Sequence, residues 1–461
     1  MNFNKKLAVA VSGAVFLMAG QFALADSTTD IVDALVGKGV LTEEEGKLIT
    51  KGHTSAKDKA GKIVDKNGAL SLSSSNGDST IAVNGRIQLD SRHYGSAGDR
   101  NDTTNDGFNV RRAYIGVNGN IKKYYDYKIV LNLANPDEPS TTLGTGANSN
   151  QLDEAYFGIN YWKQASLRFG QQKMPFSLEE QTSSRFIDFQ ERSMLNKYVP
   201  AKEVGAQIHG VFDNGIFYGA AVSTGEGLSK VENSTGDSND VIGRIGVNLA
   251  QAMGNKEDVY HFAIAGSSGK QGNAMKADYN TEDKGVSMIA QTITGAGRDR
   301  LGLETAIALG PVKVQGEYIQ NNFSKTSANI TSGKVAGSDI DIDGYYVSAS
   351  WLITGEKYAD SYKAGKFDRI NPLRDFNPED ISKGWGAWEI GARYSSVDAS
   401  DIGYTVSTLY NKANATTVGL KWIPTPYVRV LLNYIDTEAE KANGGGSTNQ
   451  RAVTVRTQLD F

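Results

Sequence analysis

From Thr80 to the C-terminus the chain alternates two kinds of connection, and this restricts its fold more than any other feature. Sixteen short runs alternate apolar and polar residues, from 80–90, 108–119 and 124–134 through to 415–423, 426–436 and 450–461. Period-two patterning of this kind marks half-buried strands. After the odd-numbered runs the connections are about 13 to 33 residues long, whereas after the even-numbered ones they are short. Ile121–Lys123, Asp213–Asn214, Gly310 and Pro424–Thr425 are such short turns, and Thr354–Gly384 is the one exception. An even number of strands with short turns on one rim and long loops on the other describes a transmembrane barrel. A soluble β-sandwich has no reason to sort its connections this way.

The two faces of the strands agree. Val83, Ile87, Ile115, Val117, Ile129, Leu131, Ile208, Val314, Val418, Val453 and Val455 fall on one face. Tyr124, Tyr125, Tyr127, Tyr161, Trp162, Tyr260, Trp422 and Tyr427 gather at the short-turn rim, where amphipathic rings meet a membrane interface. Only one face of each strand needs to be apolar and the long loops are polar, so a mean hydropathy of −0.38 is compatible with a membrane barrel. No run after the first 25 residues is long and apolar enough for a membrane helix.

Ahead of the barrel, residues 1–25 carry Lys5 and Lys6, an apolar run from Leu7 and the small-residue site Ala23-Leu24-Ala25, the form of a secretory signal peptide. Its removal would take two lysines and no acid, moving the formal charge from −4 to −6. The chain has no cysteine, so disulfides, zinc–thiolate sites and thiol nucleophiles are excluded. Residues 26–78 form a separate N-terminal segment, expected to be periplasmic. Asp30–Lys51 is helical in pattern, Thr42-Glu43-Glu44-Glu45 begins as a capping box, and Lys57–Gly77 reads as a polar linker. The barrel then occupies 79–461, which makes the expected fold all-β: a 16-stranded antiparallel transmembrane barrel with a short N-terminal helical segment.

Within the barrel the stretch from Gln151 to Arg192 stands apart. Two alternating strands meet at a tight turn near Trp162–Gln164, and Pro175 then breaks the pattern. Ser177 through Leu195 reads as a polar helix with Glu179 and Glu180 in its first turn, where the helix dipole favours carboxylates. A long connection carrying a helix and the charges Lys173, Arg185, Asp188, Glu191 and Arg192 marks a functional loop.

Several stretches carry a family resemblance: Arg111-Arg112-Ala113-Tyr114, Leu152-Asp153-Glu154-Ala155, Arg168 through Phe176, Thr182 through Phe186, Glu191-Arg192-Ser193, Gly344-Tyr345-Tyr346, Leu352 through Glu356, Gly386 through Glu389 and the closing Phe461. The chain resembles the phosphate-selective porins of O and P type from Gram-negative outer membranes. The resemblance implies a homotrimer of sixteen-stranded barrels in outer-membrane lipid, each with a narrow pore passing small anions, phosphate or polyphosphate among them. It also implies that loop 172–203 folds inward and that 354–384 is a long periplasmic turn.

The lumen can be read from the pleat alone. Arg86, Arg112, Lys128, Arg168, Arg244, Lys313, Arg393, Lys421, Arg429 and Arg456 project inward, facing Asp90, Asp126, Glu154, Glu304, Glu317, Glu389 and Asp460. A surplus of positive charge in a narrow low-dielectric pore concentrates anions. The candidate anion-binding residues are Arg86, Arg111, Arg112, Lys128, Arg168, Lys173, Arg185, Arg192 and Arg244, with Arg185 or Arg192 expected near the narrowest point. Arg111 and Arg112 are adjacent, so a regular strand turns only one inward, and register favours Arg112. Two departures weaken the case for phosphate: Gln171 stands where selective family members carry arginine, and 135–151 has Asp137 and Glu138 with no base. Neither a cofactor, a metal nor a nucleic-acid partner is expected, and no motif supports catalysis. Two other readings stay open at this level: a structural or adhesin-type barrel with a plugged lumen, and an outer-membrane hydrolase using His209 or His261.

Overall fold

A computed structural model describes residues 27–59, 61–66, 69–95, 106–134, 152–225, 239–271, 275–276, 281–284, 292–293, 296–325, 333 and 337–461. The expected signal peptide, loop 135–151, most of loop 91–107 and about half of loop 267–299 lie outside the described residues.

Sixteen long strands form the barrel. They are β1 Thr80–Tyr94, β2 Gly107–Ile121, β3 Tyr125–Asn132, β4 Leu152–Trp162, β5 Ala165–Lys173, β6 Lys202–Val211, β7 Ile216–Ser223 and β8 Asp240–Asn248. There follow β9 Asp258–Gln271, β10 Ala296–Leu309, β11 Val312–Ser324, β12 Ile340–Leu352, β13 Ala387–Asp398, β14 Tyr410–Thr425, β15 Val428–Lys441 and β16 Ser447–Asp460. Each strand pairs with its neighbours in sequence, and β16 pairs antiparallel with β1, which closes the sheet and removes its edges. At this seam the amide of Gly85 donates to the Phe461 carbonyl over 2.7 Å. The Phe461 ring lies over Gly85, whose added Cβ would come within 2.2 Å of it.

The strand count agrees with the sequence reading, but many strands are longer. β1 continues to Tyr94, β9 to Gln271 and β15 to Lys441, while β10 starts at Ala296 and β14 at Tyr410. All of these extensions are on the long-loop rim. There the alternation is polar on both faces, so hydrophobic periodicity fades while the backbone ladder continues. Outside, Ile87, Ile129, Val314, Val418 and Val453 are exposed as the pleat requires. Tyr124 and Tyr161 pack at the short-turn rim with ring centroids 4.9 Å apart.

The inside of the barrel is uneven. Loop Met174–Ala201 folds inward and buries Met174, Phe176 and Leu195 against Ile242, Phe323 and Ile340 of the inner wall. From the opposite rim, the long turn 354–384 also enters. Its Tyr358 and Phe367 pack with Leu178, Val259 and Leu352. Its tip is a hairpin pairing Tyr362–Lys363 with Lys366–Phe367, turned by Ala364 (φ 51°) and Gly365 (φ 76°). Positive φ at both central residues belongs to the tight turn that matches strand twist.

The folded-in loop corrects the expectation of a helix from Ser177 to Leu195. Only α3, Leu178–Gln181, is α-helical, and a single 3₁₀ turn, Met194–Lys197, follows. The carbonyls that a longer helix would need are taken by cations. Arg192 donates to Glu179 O (2.9 Å) and Thr182 O (2.9 Å), and Lys173 donates to Glu180 O.

The N-terminal residues form a unit of their own. Two helices, α1 (Ser27–Gly37) and α2 (Glu43–Lys59), replace the single helical stretch, with Gly39 at φ 70° between them. Thr42 caps α2 reciprocally: Glu45 N donates to Thr42 Oγ1 (3.2 Å) and Thr42 N to Glu45 Oε2 (2.9 Å). The stretch read as linker carries the end of α2 and two five-residue strands, Lys62–Lys66 and Ala69–Ser73. Strands this short give too little alternation to be seen in a polar sequence.

Candidate functional site

Register builds the site. The β16–β1 pairing sets Arg456 opposite Asp90, Gln458 opposite Gln88 and Asp460 opposite Arg86, all facing the lumen. Arg456 grips Asp90 with two bonds of 2.6 and 2.8 Å, and Gln88 bonds Gln458 at 2.5 Å. The folded-in loop lies against this row. Arg86 donates to Ser184 Oγ (2.9 Å), Arg429 to Arg185 O, and Arg456 to Gln190 O. Each pulls a loop carbonyl or hydroxyl onto the wall, so the loop is held by charge-assisted bonds at many points.

Two groups of guanidiniums result, one on each side of the loop. Toward the long-loop rim, Arg92, Arg111, Arg112 and Arg456 surround Glu191, with Arg111 Nε at 2.9 Å and Arg456 Nη2 at 2.7 Å. Burial alone would raise the Glu191 carboxyl, but Arg111, Arg456 and Arg112 overcome it and hold it well below the ordinary carboxylate range. Arg111 reaches the site together with Arg112 because Glu191 of the loop lies between them. Toward the short-turn rim, Arg185 and Arg429 lie 3.9 and 3.8 Å from Asp460. Arg369, from the long turn, lies over the Phe186 and Tyr427 rings at 5.3 and 5.4 Å.

Further round the wall the charges are more evenly matched and wetter. Lys128 pairs with Glu154, Arg168 with Asp126 at 3.6 Å, and Lys202 with Asp153. The Lys128 and Arg168 side chains keep 33 % and 32 % of their surface open. On the far wall Arg393, Lys313, Lys421 and Arg244 keep 6 % or less. There Arg393 binds Glu179 (3.2 Å) and Glu282 (2.6 Å), Lys313 binds Asp188 (2.8 Å) and Lys421 binds Glu389 (2.8 Å). Glu304 and Glu317 face each other across β10 and β11, an unfavourable pairing unless each is offset. Arg244 and His261 offset Glu304, and the amides of Leu178 and Glu179 donate to Glu317 at 3.0 and 2.7 Å. The most water-accessible of these charges are therefore Lys128 on β3 and Arg168 on β5, and the wall from β8 to β14 is packed with loop.

The sequence-derived candidates divide accordingly. Arg86, Arg111, Arg112, Lys128 and Arg168 line the wall beside the loop, and Arg185 extends from the loop itself. Lys173 and Arg192 are turned onto Glu180, at 3.5 and 2.9 Å. Arg244 is committed to Glu304 (2.6 Å) and to Gly365 O (2.9 Å), which makes it a strut for the hairpin. Gln171 is buried and donates to Leu152 O at 2.6 Å. His261 hydrogen-bonds Tyr362 (2.7 Å) and Glu304 (3.2 Å), and so belongs to the same strut. Sequence reasoning missed Arg92, Lys202, Lys366 and Arg369. The last two were foreshadowed by the alternation Tyr362–Phe367 about Ala364-Gly365, a two-residue hairpin signal within a long turn.

Comparison with known proteins agrees with this architecture. The chain is 25% identical over 442 residues to porin O of Pseudomonas aeruginosa, covering 88% of this chain and 94% of that one. Its fold is similar to the outer membrane channel DcaP of Acinetobacter baumannii, with a TM-score of 0.52, 13% identity, and 83% and 97% of the two chains covered. It is also similar to OprB of Pseudomonas putida, with a TM-score of 0.51, 9% identity, and 89% and 96% covered. Residues 81–461 match the family described as phosphate-selective porin O and P. This closed barrel, with its inward loop and charged lumen, therefore belongs to that porin family and forms a channel in the Gram-negative outer membrane.

Proposed function

We propose that the channel passes small anions along the β1–β6 side of its lumen and discriminates only weakly in favour of phosphate. One observation carries this reading. Beside the loop, the eight guanidiniums of Arg86, Arg92, Arg111, Arg112, Arg185, Arg369, Arg429 and Arg456 outnumber the carboxylates set against them among the described residues, Asp90, Glu191, Asp368 and Asp460, in a chain whose net charge is −4. Low-dielectric walls focus that local surplus and raise anion concentration in the passage. Phosphate is best held by several converging cationic donors, and Gln171 contributes an uncharged amide already bonded to Leu152 O. The purified protein in a planar bilayer under a KCl gradient should give a zero-current potential of the sign for chloride. Millimolar phosphate should reduce chloride current only slightly. A potassium-selective potential would refute the reading, and strong block at micromolar phosphate would refute its second half.

The wall made by β3 to β7 supports a homotrimer. β3 and β7 have 8 residues each. Tilted strands of that length span roughly 20 Å, less than the apolar band of about 25 Å. A neighbouring copy would cover what such a wall leaves thin. Light scattering in detergent, corrected for bound detergent, should give three chains per particle.

A further inference from the structure

We propose that Arg86, Arg185, Arg369 and Arg429 form a binding site for a carboxylate-bearing organic solute on the short-turn side of the loop. This deepens the anion reading and rests on it. The site is assembled from four separate parts of the barrel: β1, the folded-in loop, the long turn and β15. Three of the four guanidiniums are clamped against rings. Arg86 lies 4.3 Å from the Tyr114 centroid, Arg429 lies 4.6 Å from Phe186, and Arg369 stacks on Phe186 and Tyr427. Stacking occupies a guanidinium's face and leaves the N–H fork at its edge, which matches a planar carboxylate with two parallel bonds.

Two further observations point to a ligand. Arg86 and Arg429 are each 2 % exposed, yet Arg86 Nε and Arg429 Nη2 have no hydrogen-bond partner among the described residues. Asp460 is the carboxylate these arginines share, and it is held loosely, at 3.9 Å from Arg185 and 3.8 Å from Arg429. Its Oδ1 also has no hydrogen bond. The chain's own carboxylate shows which anion the cage accepts, and four guanidiniums against Asp460 and Asp368, with Glu389 already paired to Lys421, leave charge for another. The donors are all guanidinium, with no lysine among them, and the walls are aromatic. That favours a flat carboxylate with an apolar body over a tetrahedral oxyanion or a bare halide. Arg369 and Arg185 are the less buried members, so a solute meets them first.

Benzoate, acetate and inorganic phosphate, each added to the periplasmic side of a bilayer holding the intact channel, are the probes. Benzoate should block chloride current at the lowest concentration, and from that side more effectively than from the other. R369A should weaken benzoate block roughly tenfold, and R369K should restore it only in part, because an ammonium has no fork. R451A, at the long-loop rim where Arg451 pairs with Asp436 at 3.6 Å, should leave benzoate block within about twofold of wild type. Phosphate blocking at lower concentration than benzoate, or benzoate block unchanged in R369A, would overturn the proposal while leaving anion preference intact. A potassium-selective wild-type channel would instead remove the reading on which the site rests.

Discussion

At the scale of single residues the structure turns on charges that are neutralised at a distance in sequence. Glu191 joins Arg111, Arg112 and Arg456 into one knot beside the loop. Its folded-state pKa lies below the unfolded value of about 4.3, so its stabilisation is complete above that pH and disappears as pH falls through the lower, folded value. Single-channel current should therefore stay quiet from pH 7 to about 5, with loop noise appearing only in strong acid. E191Q should bring that noise to neutral pH, because the guanidiniums of the knot lose the buried carboxylate they share, Arg456 keeping Asp90, at a cost of about 3 kcal/mol. Quiet E191Q channels at pH 7 would show that the loop does not depend on this knot. Gly85 makes a second test. A side chain there meets the Phe461 ring at the seam, so G85L should cost about 1–3 kcal/mol and lower the yield of heat-resistant barrel on gels.

At the scale of elements, what could be read from the sequence depended on the kind of force involved. Strands whose outer face meets lipid announced themselves through Ile87, Ile129 or Val418, and all sixteen were found. Their upper ends, such as 437–441, were missed because paired backbone outside the lipid needs no apolar side chain. The inward pleat positions of Arg86, Arg112, Arg393 and Arg456 followed from period two. The loop's path did not, because its conformation is set by partners far away, such as Arg429 on the Arg185 carbonyl and Glu317 on the α3 amides. Helix propensity over Ser177–Leu195 lost to those tertiary bonds. The same reasoning identifies the loop's apolar anchor. Phe176 is fully buried beside Gly302, whose added Cβ would lie 2.8 Å from its ring. F176A should remove about 3–5 kcal/mol of packing and raise both conductance and current noise. Unaltered conductance would mean that the loop is fixed by its ion pairs alone.

At the scale of the whole molecule, an acidic chain carries a basic passage, because folding separates charge that the sequence mixes. One half of the lumen is sealed by packed loop and paired ions, and the other keeps Lys128 and Arg168 open to water beside the arginine groups. The orientation follows from loop length: epitope tags at Asp102 and Gly285 should be reachable on intact cells and a tag at Asp213 should not. Labelling at Asp213 would invert the barrel. The central claim is that wall arginines, and not net charge, set ion preference. It is tested most directly by the zero-current potential of R86A/R112A/R168A in the KCl gradient used for wild type. The potential should move toward the potassium side, since each lost guanidinium changes anion entry by about 1–3 kcal/mol. A triple variant with the wild-type potential would contradict the account.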